Sequence, residues 1–226
     1  MKNIVDIYDL FIFDLDDTLV ITEKYHYEAW LNIIRNNIDV NFYFDYSIYC
    51  SIFHSNKIDN IKKYLKNELD IEDVESIIKE KNKYYLNLIQ ENKDKLKLID
   101  GVLELLTNII NNNKKFIIVS NSTEQNVDFF CELFPILNKC SKKYHGKLLN
   151  YKKPDPMSYI KVIEEYSNSK IVGFEDSITG IHAMANVKDI DTIFINNKDY
   201  FHYDYIIKNY NIKLTIENYN IFICNL

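Results

Sequence analysis

Acidic side chains stand together where a short apolar segment ends near the start of the chain. Residues 10–15 are apolar apart from Asp14, and Asp16 and Asp17 follow closely. Because side chains alternate along a strand, Asp14 and Asp16 share one side. Two carboxylates at the end of a buried strand repel each other and need a cation or a shared proton. Helix capping explains one of these acids, but not all three. A hard divalent cation such as Mg²⁺ suits this pattern of oxygen ligands.

Polar residues also stand at the ends of two other apolar segments. Ser120 ends the segment 116–120, and Glu175 and Asp176 end a third one. In an open α/β sheet, ligands bind at the carboxyl ends of the strands, so we expect these side chains at one edge with Asp14. Taken singly, Ser120 is equally a helix cap and the acidic pair equally a turn. Their joint occurrence at strand ends favours a functional site.

The apolar segments predict a parallel sheet. Each is short, rich in Ile, Val and Phe, and followed by a polar turn and a helical pattern, which is typical of buried strands covered by helices on both faces. The segments lie at 10–15, 116–120, 171–175 and 192–196, with a weaker candidate at 140–144. The predicted fold is α/β, a Rossmann-like doubly wound parallel sheet. One more helix is expected over 203–209, in a Tyr- and Asn-rich tail that could also hold a strand.

A long insertion separates the first two predicted strands. The gap of about a hundred residues far exceeds an ordinary crossover helix. Its hydrophobic periodicity predicts helices over 23–36, from near Ser55 through Leu65, and over 72–90. We therefore predict a core domain formed by residues 1–20 and 99–226, and a helical domain formed by residues 21–98.

The composition argues against several classes of protein. The chain has 226 residues and a net charge of −6, which argues against a nucleic-acid partner. No apolar run has transmembrane length, and the start lacks the apolar region and cleavage site of a signal peptide, so we expect a cytoplasmic protein with no membrane partner. The four cysteines form no CxxC pair, which disfavours zinc. The sequence does not distinguish a monomer from a weak dimer.

Four short motifs, in order, resemble those of the haloacid dehalogenase-like superfamily. Each motif alone is weakly specific, but together they span nearly the whole chain. Many family members carry Gly where this chain has Asp17, although acids also occur there in working members. The matching residues are Asp14, Asp16 and Thr18 in a DxDxT pattern, Ser120 at a strand end, Lys153 before Pro154, and Glu175 and Asp176 before Ser177 and Gly180.

The resemblance implies a phosphoryl-transfer enzyme. Asp14 is expected to attack phosphorus and form an aspartyl-phosphate, and Asp16 to serve as general acid and then general base. Ser120 and Lys153 are expected to hold the phosphoryl group, although a lysine such as Lys153, taken singly, is more often a solvated loop residue. The remaining expected roles are Thr18 and Asn121 as substrate contacts, and Asp14, Asp16, Glu175 and Asp176 as ligands of a Mg²⁺ cofactor.

The insertion resembles the C1 cap of this family, which closes over the site, excludes water and selects the substrate. Its start, residues 22–30, resembles that of β-phosphoglucomutases and related sugar-phosphate phosphatases, which makes His26 a candidate for acid–base assistance. Lys57 falls where β-phosphoglucomutase grips a phosphate with Arg. The plainer alternatives are a His26 that packs on Trp30 and a solvated Lys57.

The reaction itself stays open at this point. We predict a phosphatase that acts on a sugar phosphate or a similar small phosphomonoester. A phosphomutase is the alternative, because it shares every core motif and differs only in protecting its aspartyl-phosphate from water. A non-catalytic phosphate-binding module is a third possibility. A receiver-like phosphoacceptor lacks the acid two residues after the first, and a dehalogenase conflicts with the acids at positions 16 and 176.

Overall fold

The computed structural model describes residues 3–37, 43–53, 58–67, 72–146, 148–149, 151–196 and 203–223. In chain order, the helices and strands are α1 (Ile4–Ile7), β1 (Leu10–Phe13), α2 (Glu23–Asn37), α3 (Tyr46–Ile48), α4 (Ile58–Asn67), α5 (Val74–Glu91), α6 (Val102–Asn111), β2 (Lys115–Val119), α7 (Glu124–Leu133), β3 (Lys142–Tyr144), α8 (Met157–Glu164), β4 (Ile171–Glu175), α9 (Ile178–Ala185), β5 (Ile190–Ile195), α10 (Tyr203–Asn209) and β6 (Ile212–Ile216).

The strands form one parallel six-stranded sheet in the order β3-β2-β1-β4-β5-β6. The chain winds outward from β1 in one direction through β2 and β3, and in the other through β4, β5 and β6. The predicted α/β fold with a Rossmann-like doubly wound sheet is confirmed. In this topology ligands bind beyond the carboxyl ends of the strands, where the winding direction changes, which is between β1 and β4.

The central strands are buried on both faces, as their continuous apolar sequences require. Phe13 pairs in register with Ile118 of β2 and Phe174 of β4, and its ring stacks on that of Phe174 with centroids 4.6 Å apart. Each fully buried side chain of this size stabilises the fold by roughly 1.5–3 kcal/mol. On the face of the sheet that carries Leu10 and Ile12, a buried cluster joins the strands to α8 and α9 through Ile117, Val119, Tyr159, Val162, Ala183 and Met184.

The chain divides into two compact units. The first, Met1–Ile21 with Lys97–Leu226, contains the sheet; the second is Thr22–Leu96. The second unit is helical and has its own apolar core, which includes Trp30, Ile33, Ile34, Phe44, Tyr49, Phe53, Ile61, Leu65 and Ile77. Its role as a cap stays a prediction.

The helical unit follows the predicted periodicity. The observed helices α2, α4 and α5 occupy the three predicted stretches, while the predicted start near Ser55 lies outside the described residues. Asp73 caps α5 by accepting a hydrogen bond from Ser76 N at 3.0 Å. A π-helical turn at Tyr49–Phe53, which periodicity does not predict, follows α3. None of the helices that the structure describes is long and apolar enough to cross a membrane.

Candidate active site

Asp14 stands directly after β1 at the carboxyl end of the sheet, and it is buried. Its backbone N–H donates to Phe174 O at 3.1 Å, which ties it to the neighbouring strand. Lys153 Nζ donates to Asp14 Oδ1 at 2.5 Å, to Val119 O at 2.7 Å and to Glu175 Oε1. An ammonium group has three N–H donors, so these three acceptors use all of them. The ends of β1, β2 and β4 therefore meet at one lysine.

A carboxylate trio, formed by Asp14, Glu175 and Asp176, lies at this point. One oxygen atom of each residue lies within 4.8 Å of the others, and all three residues are buried. Three carboxylates beside one ammonium leave an excess of negative charge in a buried site, which a hard divalent cation would balance. The trio thus fits Mg²⁺ by charge and by ligand type.

Asp16 uses its carboxylate differently. Its Oδ2 accepts a hydrogen bond from Ser122 Oγ at 2.6 Å, and it does not belong to the trio. Its assignment as a metal ligand stays a prediction. Ser122 carries no assignment from the sequence. Its backbone N–H donates to Ser120 Oγ at 3.0 Å, so the buried Ser120 holds the turn that brings Ser122 to Asp16.

The two charged groups at the centre have shifted pKa values. Burial raises the pKa of Asp14 well above its ordinary value; Lys153 opposes the shift, and the nearby charges of Glu175 and Asp16 add to it. Burial alone would lower the pKa of Lys153, but the charges of Asp14 and Glu175 outweigh it and leave that pKa raised. The lysine is therefore a permanent cation at neutral pH, and the charged form of Asp14 depends on its surroundings.

Glu175 is held on several sides. Tyr159 OH donates to Glu175 Oε1 at 2.7 Å, and Ser177 Oγ donates to Oε2 at 3.2 Å. In the first turn of α9, Gly180 leaves room for this carboxylate, because a Cβ there would lie 2.0 Å from the Glu175 carboxyl carbon. Sequence reasoning missed Tyr159: its partner is 16 residues away on another element, and no local pattern connects them.

Asn121 and Thr18, both predicted to contact substrate, have protein partners. Asn121 Nδ2 donates to Lys153 O, and Lys153 N donates to Asn121 Oδ1, both at 3.0 Å, so the amide clamps the backbone of the lysine. Thr18 Oγ1 donates to Asp176 Oδ1 at 3.1 Å. Both side chains thus position groups of the site, and their contact with substrate stays a prediction.

The helical unit, taken by itself, holds His26 on α2 against α5. His26 Nδ1 lies 2.9 Å from Lys81 Nζ, and the His26 ring stacks on the Tyr85 ring with centroids 4.0 Å apart. The ring that stacks on His26 is thus that of Tyr85. Packing of His26 on Trp30, the plainer sequence interpretation, stays a prediction. Lys81 is buried, and the sequence analysis missed it. Lys57, the predicted phosphate-binding residue, lies outside the described residues.

A family model matches the sequence, and so does a curated plant relative. The model, described as haloacid dehalogenase-like hydrolase, matches residues 8–188. A CBBY-like protein of Arabidopsis thaliana is 29% identical over 188 residues, which cover 76% of this chain and 58% of that protein. The chain therefore spans less than two thirds of the length of this relative.

Solved structures share the fold. A HAD hydrolase of family IA, variant 3, from Entamoeba histolytica HM-1:IMSS has a TM-score of 0.77 at 22% identity over 94% of each chain. CbbY from Rhodobacter sphaeroides in complex with phosphate has a TM-score of 0.73 at 18% identity, over 94% of this chain and 95% of that one. A β-phosphoglucomutase from Clostridium difficile has a TM-score of 0.72 at 23% identity, over 94% and 92%. At these identities the likeness shows a common fold.

Proposed function

Because this chain belongs to the haloacid dehalogenase-like hydrolase family, we propose that it is a Mg²⁺-dependent phosphatase that hydrolyses a small phosphomonoester through an aspartyl-phosphate on Asp14. The observation that carries the proposal is the position of Asp14, a buried carboxylate beside Lys153 Nζ at 2.5 Å and within the carboxylate trio. The phosphate bound in the Rhodobacter sphaeroides CbbY structure supports phosphate chemistry on this fold.

The reaction has two steps on this arrangement. Asp14 attacks phosphorus, the ester P–O bond breaks, and Asp16 gives its proton to the leaving oxygen. Asp16 then takes a proton from water, whose oxygen attacks phosphorus and releases phosphate from Asp14. The hydrogen bond from Ser122 Oγ to Asp16 orients this carboxyl for both proton transfers. Lys153 keeps a positive charge beside Asp14, which reduces the repulsion between the carboxylate and a phosphate dianion.

The carboxylate trio would hold the Mg²⁺ ion, with Asp16 as a further ligand in the sequence-based prediction. A bound Mg²⁺ supplies neutralisation of the charge on the phosphoryl oxygens. Tyr159 and Thr18 hold Glu175 and Asp176 in place by donating hydrogen bonds to them. Such outer contacts keep the ligands oriented.

A phosphomutase is the second candidate. It is favoured by the structural similarity to the Clostridium difficile β-phosphoglucomutase and by the contact between His26 and the buried Lys81 in the helical unit. A mutase must keep water from the aspartyl-phosphate until the intermediate has turned over. The helical unit, in either reaction, is proposed to select the substrate.

The test is phosphate release from a panel of sugar phosphates and other small phosphomonoesters, with Mg²⁺ or with EDTA. We expect release only with Mg²⁺, and Asp14→Asn to lower kcat by more than about a thousandfold, because it removes the nucleophile. Mass spectrometry of the acid-quenched wild-type enzyme is expected to find one added phosphoryl group on Asp14.

The matched control is Asp9→Asn, the same chemical change at the opposite end of β1, where the carboxylate is exposed. It is expected to keep wild-type activity. If Asp9→Asn and Asp14→Asn lost equal amounts of activity, a catalytic role for Asp14 would be contradicted. Isomerisation of glucose 1-phosphate without net phosphate release would favour the mutase, and neither activity on any substrate would refute both enzymatic proposals.

A further inference from the structure

The last described turn of the chain packs against β1 and β4, next to the candidate active site. A 3₁₀ turn at Tyr219–Phe222 follows β6, and Tyr219 is fully buried. Its ring lies against two phenylalanines that flank the site, with centroids 6.2 Å from Phe13 and 5.5 Å from Phe174. The last described turn of the Tyr- and Asn-rich tail, which has no function assigned from the sequence, thus lies beside β1 and β4, the strands whose carboxyl ends place Asp14 and Glu175.

The backbone of this turn packs closely against Gly101. Tyr219 N donates to Asp100 O at 2.9 Å. Gly101 has φ 84°, and a Cβ there would lie 2.8 Å from the carbonyl carbon of Tyr219 and 2.9 Å from Asn220 N. A glycine is therefore needed both for its backbone conformation and for the close approach of the tail.

The hydroxyl of Tyr219 reaches the carboxylate trio through one intermediate residue. Tyr219 OH donates to Thr18 O at 2.9 Å, and Thr18 Oγ1 donates to Asp176 Oδ1 at 3.1 Å. Burial, followed by the charges of Asp176, Asp14 and Glu175, raises the pKa of Tyr219 well above its ordinary value. The hydroxyl is thus a permanent donor that lies within the field of the trio.

We infer that Tyr219 is a positioning residue of the metal site: it fixes Thr18 through the carbonyl group, and Thr18 in turn fixes the Asp176 carboxylate. The inference rests on the proposed function, because it assumes that the trio binds Mg²⁺. The physical reason is orientation. A carboxylate held by its outer hydrogen bonds loses little freedom when it binds a metal, whereas a released one must be ordered first.

The variant that tests this is Tyr219→Phe, which keeps the ring and removes the hydroxyl. The matched control is Tyr8→Phe, at another buried tyrosine. Its hydroxyl donates to Asp191 Oδ2 at 2.7 Å near the start of β5, at the opposite edge of the sheet. Mg²⁺ binding to the full chain without substrate is measured by titration calorimetry, and stability by urea unfolding in EDTA.

Tyr219→Phe is expected to weaken Mg²⁺ binding by about three- to tenfold, and Thr18→Val, one contact closer, by about ten- to a hundredfold. Tyr8→Phe is expected to lose about as much stability as Tyr219→Phe and to bind Mg²⁺ like the wild type. If Tyr219→Phe lost as much stability as Tyr8→Phe but bound Mg²⁺ with wild-type affinity, the positioning role would be overturned and the proposed function would stand. A wild-type chain that binds no Mg²⁺ would refute the metal site itself, and the inference with it.

Discussion

Strand β1 has an aspartate next to each end, and each aspartate is paired with a lysine. At the amino end, Lys114 Nζ lies 2.8 Å from Asp9 Oδ1, and the two side chains are 27% and 53% exposed. At the carboxyl end, Lys153 Nζ lies 2.5 Å from Asp14 Oδ1, and the side chains are 2% and 12% exposed. The chemical partners are the same at both ends, and only the surroundings differ.

Because their surroundings differ, the pKa values of the two aspartates shift in opposite directions. At the exposed end, the hydrogen bond from Lys114, followed by the one from the backbone of Lys170, lowers the pKa of Asp9. At the buried end, burial raises the pKa of Asp14, although Lys153 opposes it. A lysine partner alone therefore does not decide the state of a carboxylate. Burial and the neighbouring acids decide it, and they turn an ordinary ion pair into a site that needs a second cation.

The largest expected difference between the two ends concerns their lysines. Lys153→Met leaves Asp14 and Glu175 buried with no lysine between them, so it is expected to lower the free energy of unfolding by about 3–5 kcal/mol. Lys114→Met breaks an exposed pair and is expected to cost less than about 1 kcal/mol. Urea unfolding in EDTA measures both. If the two variants were equally stable, burial would not be the property that separates the two ends.

The pH dependence of stability is expected to have opposite signs. The pKa of Asp14 is raised above 3.8 in the folded state. The stability that Asp14 contributes is therefore present below pH 3.8 and is lost as the pH rises through its folded-state pKa. The pKa of Asp9 is lowered below 3.8 in the folded state. The stability that Asp9 contributes is therefore present above pH 3.8 and is lost as the pH falls through its folded-state pKa.

Paired asparagine variants isolate these contributions. In EDTA, Asp14→Asn is expected to gain stability relative to the wild type as pH rises from about 4 to 7, because Asn cannot take up the proton that the folded state binds. Asp9→Asn is expected to keep a constant difference from the wild type over the same range. Chemical unfolding at each pH provides the measurement, and parallel curves for the two variants would contradict the assigned directions.

The smallest expected effects concern two residues in the left-handed backbone region, one near each edge of the sheet. Asp17, after β1, has φ 57°, and Asn113, before β2, has φ 55°. At each position the Gly variant is expected to be more stable than the Ala variant by about 1 kcal/mol, because both lose the side chain and only Ala has a Cβ that disfavours this conformation. Thermal unfolding of the four proteins tests this, and an Ala variant as stable as its Gly counterpart would contradict it.

Much of the fold was readable from the sequence. Continuous apolar segments predicted the parallel strands, and β2 and β4 lie within one residue of their predicted bounds. The strand at 142–144 had only weak support, because Lys142 and Lys143 interrupt its apolar pattern; it is held by pairing with β2. The length of the gap after β1 predicted a helical insertion, because no ordinary crossover is so long.

Local sequence patterns suffice to predict which chemical groups stand at the carboxyl ends of the strands. Parallel winding brings those ends to one edge, and alternation sets which side chains share a side. What each group contacts depends on the folded chain as a whole. Lys153 meets Asp14 across 139 positions of the chain, and Tyr219 meets Thr18 across 201. The sequence assigned Thr18 and Asn121 to the substrate, but folding gave their side chains protein partners. Local patterns carry no information about such distant contacts, because burial and hydrogen-bond partners exist only once the whole sheet has assembled.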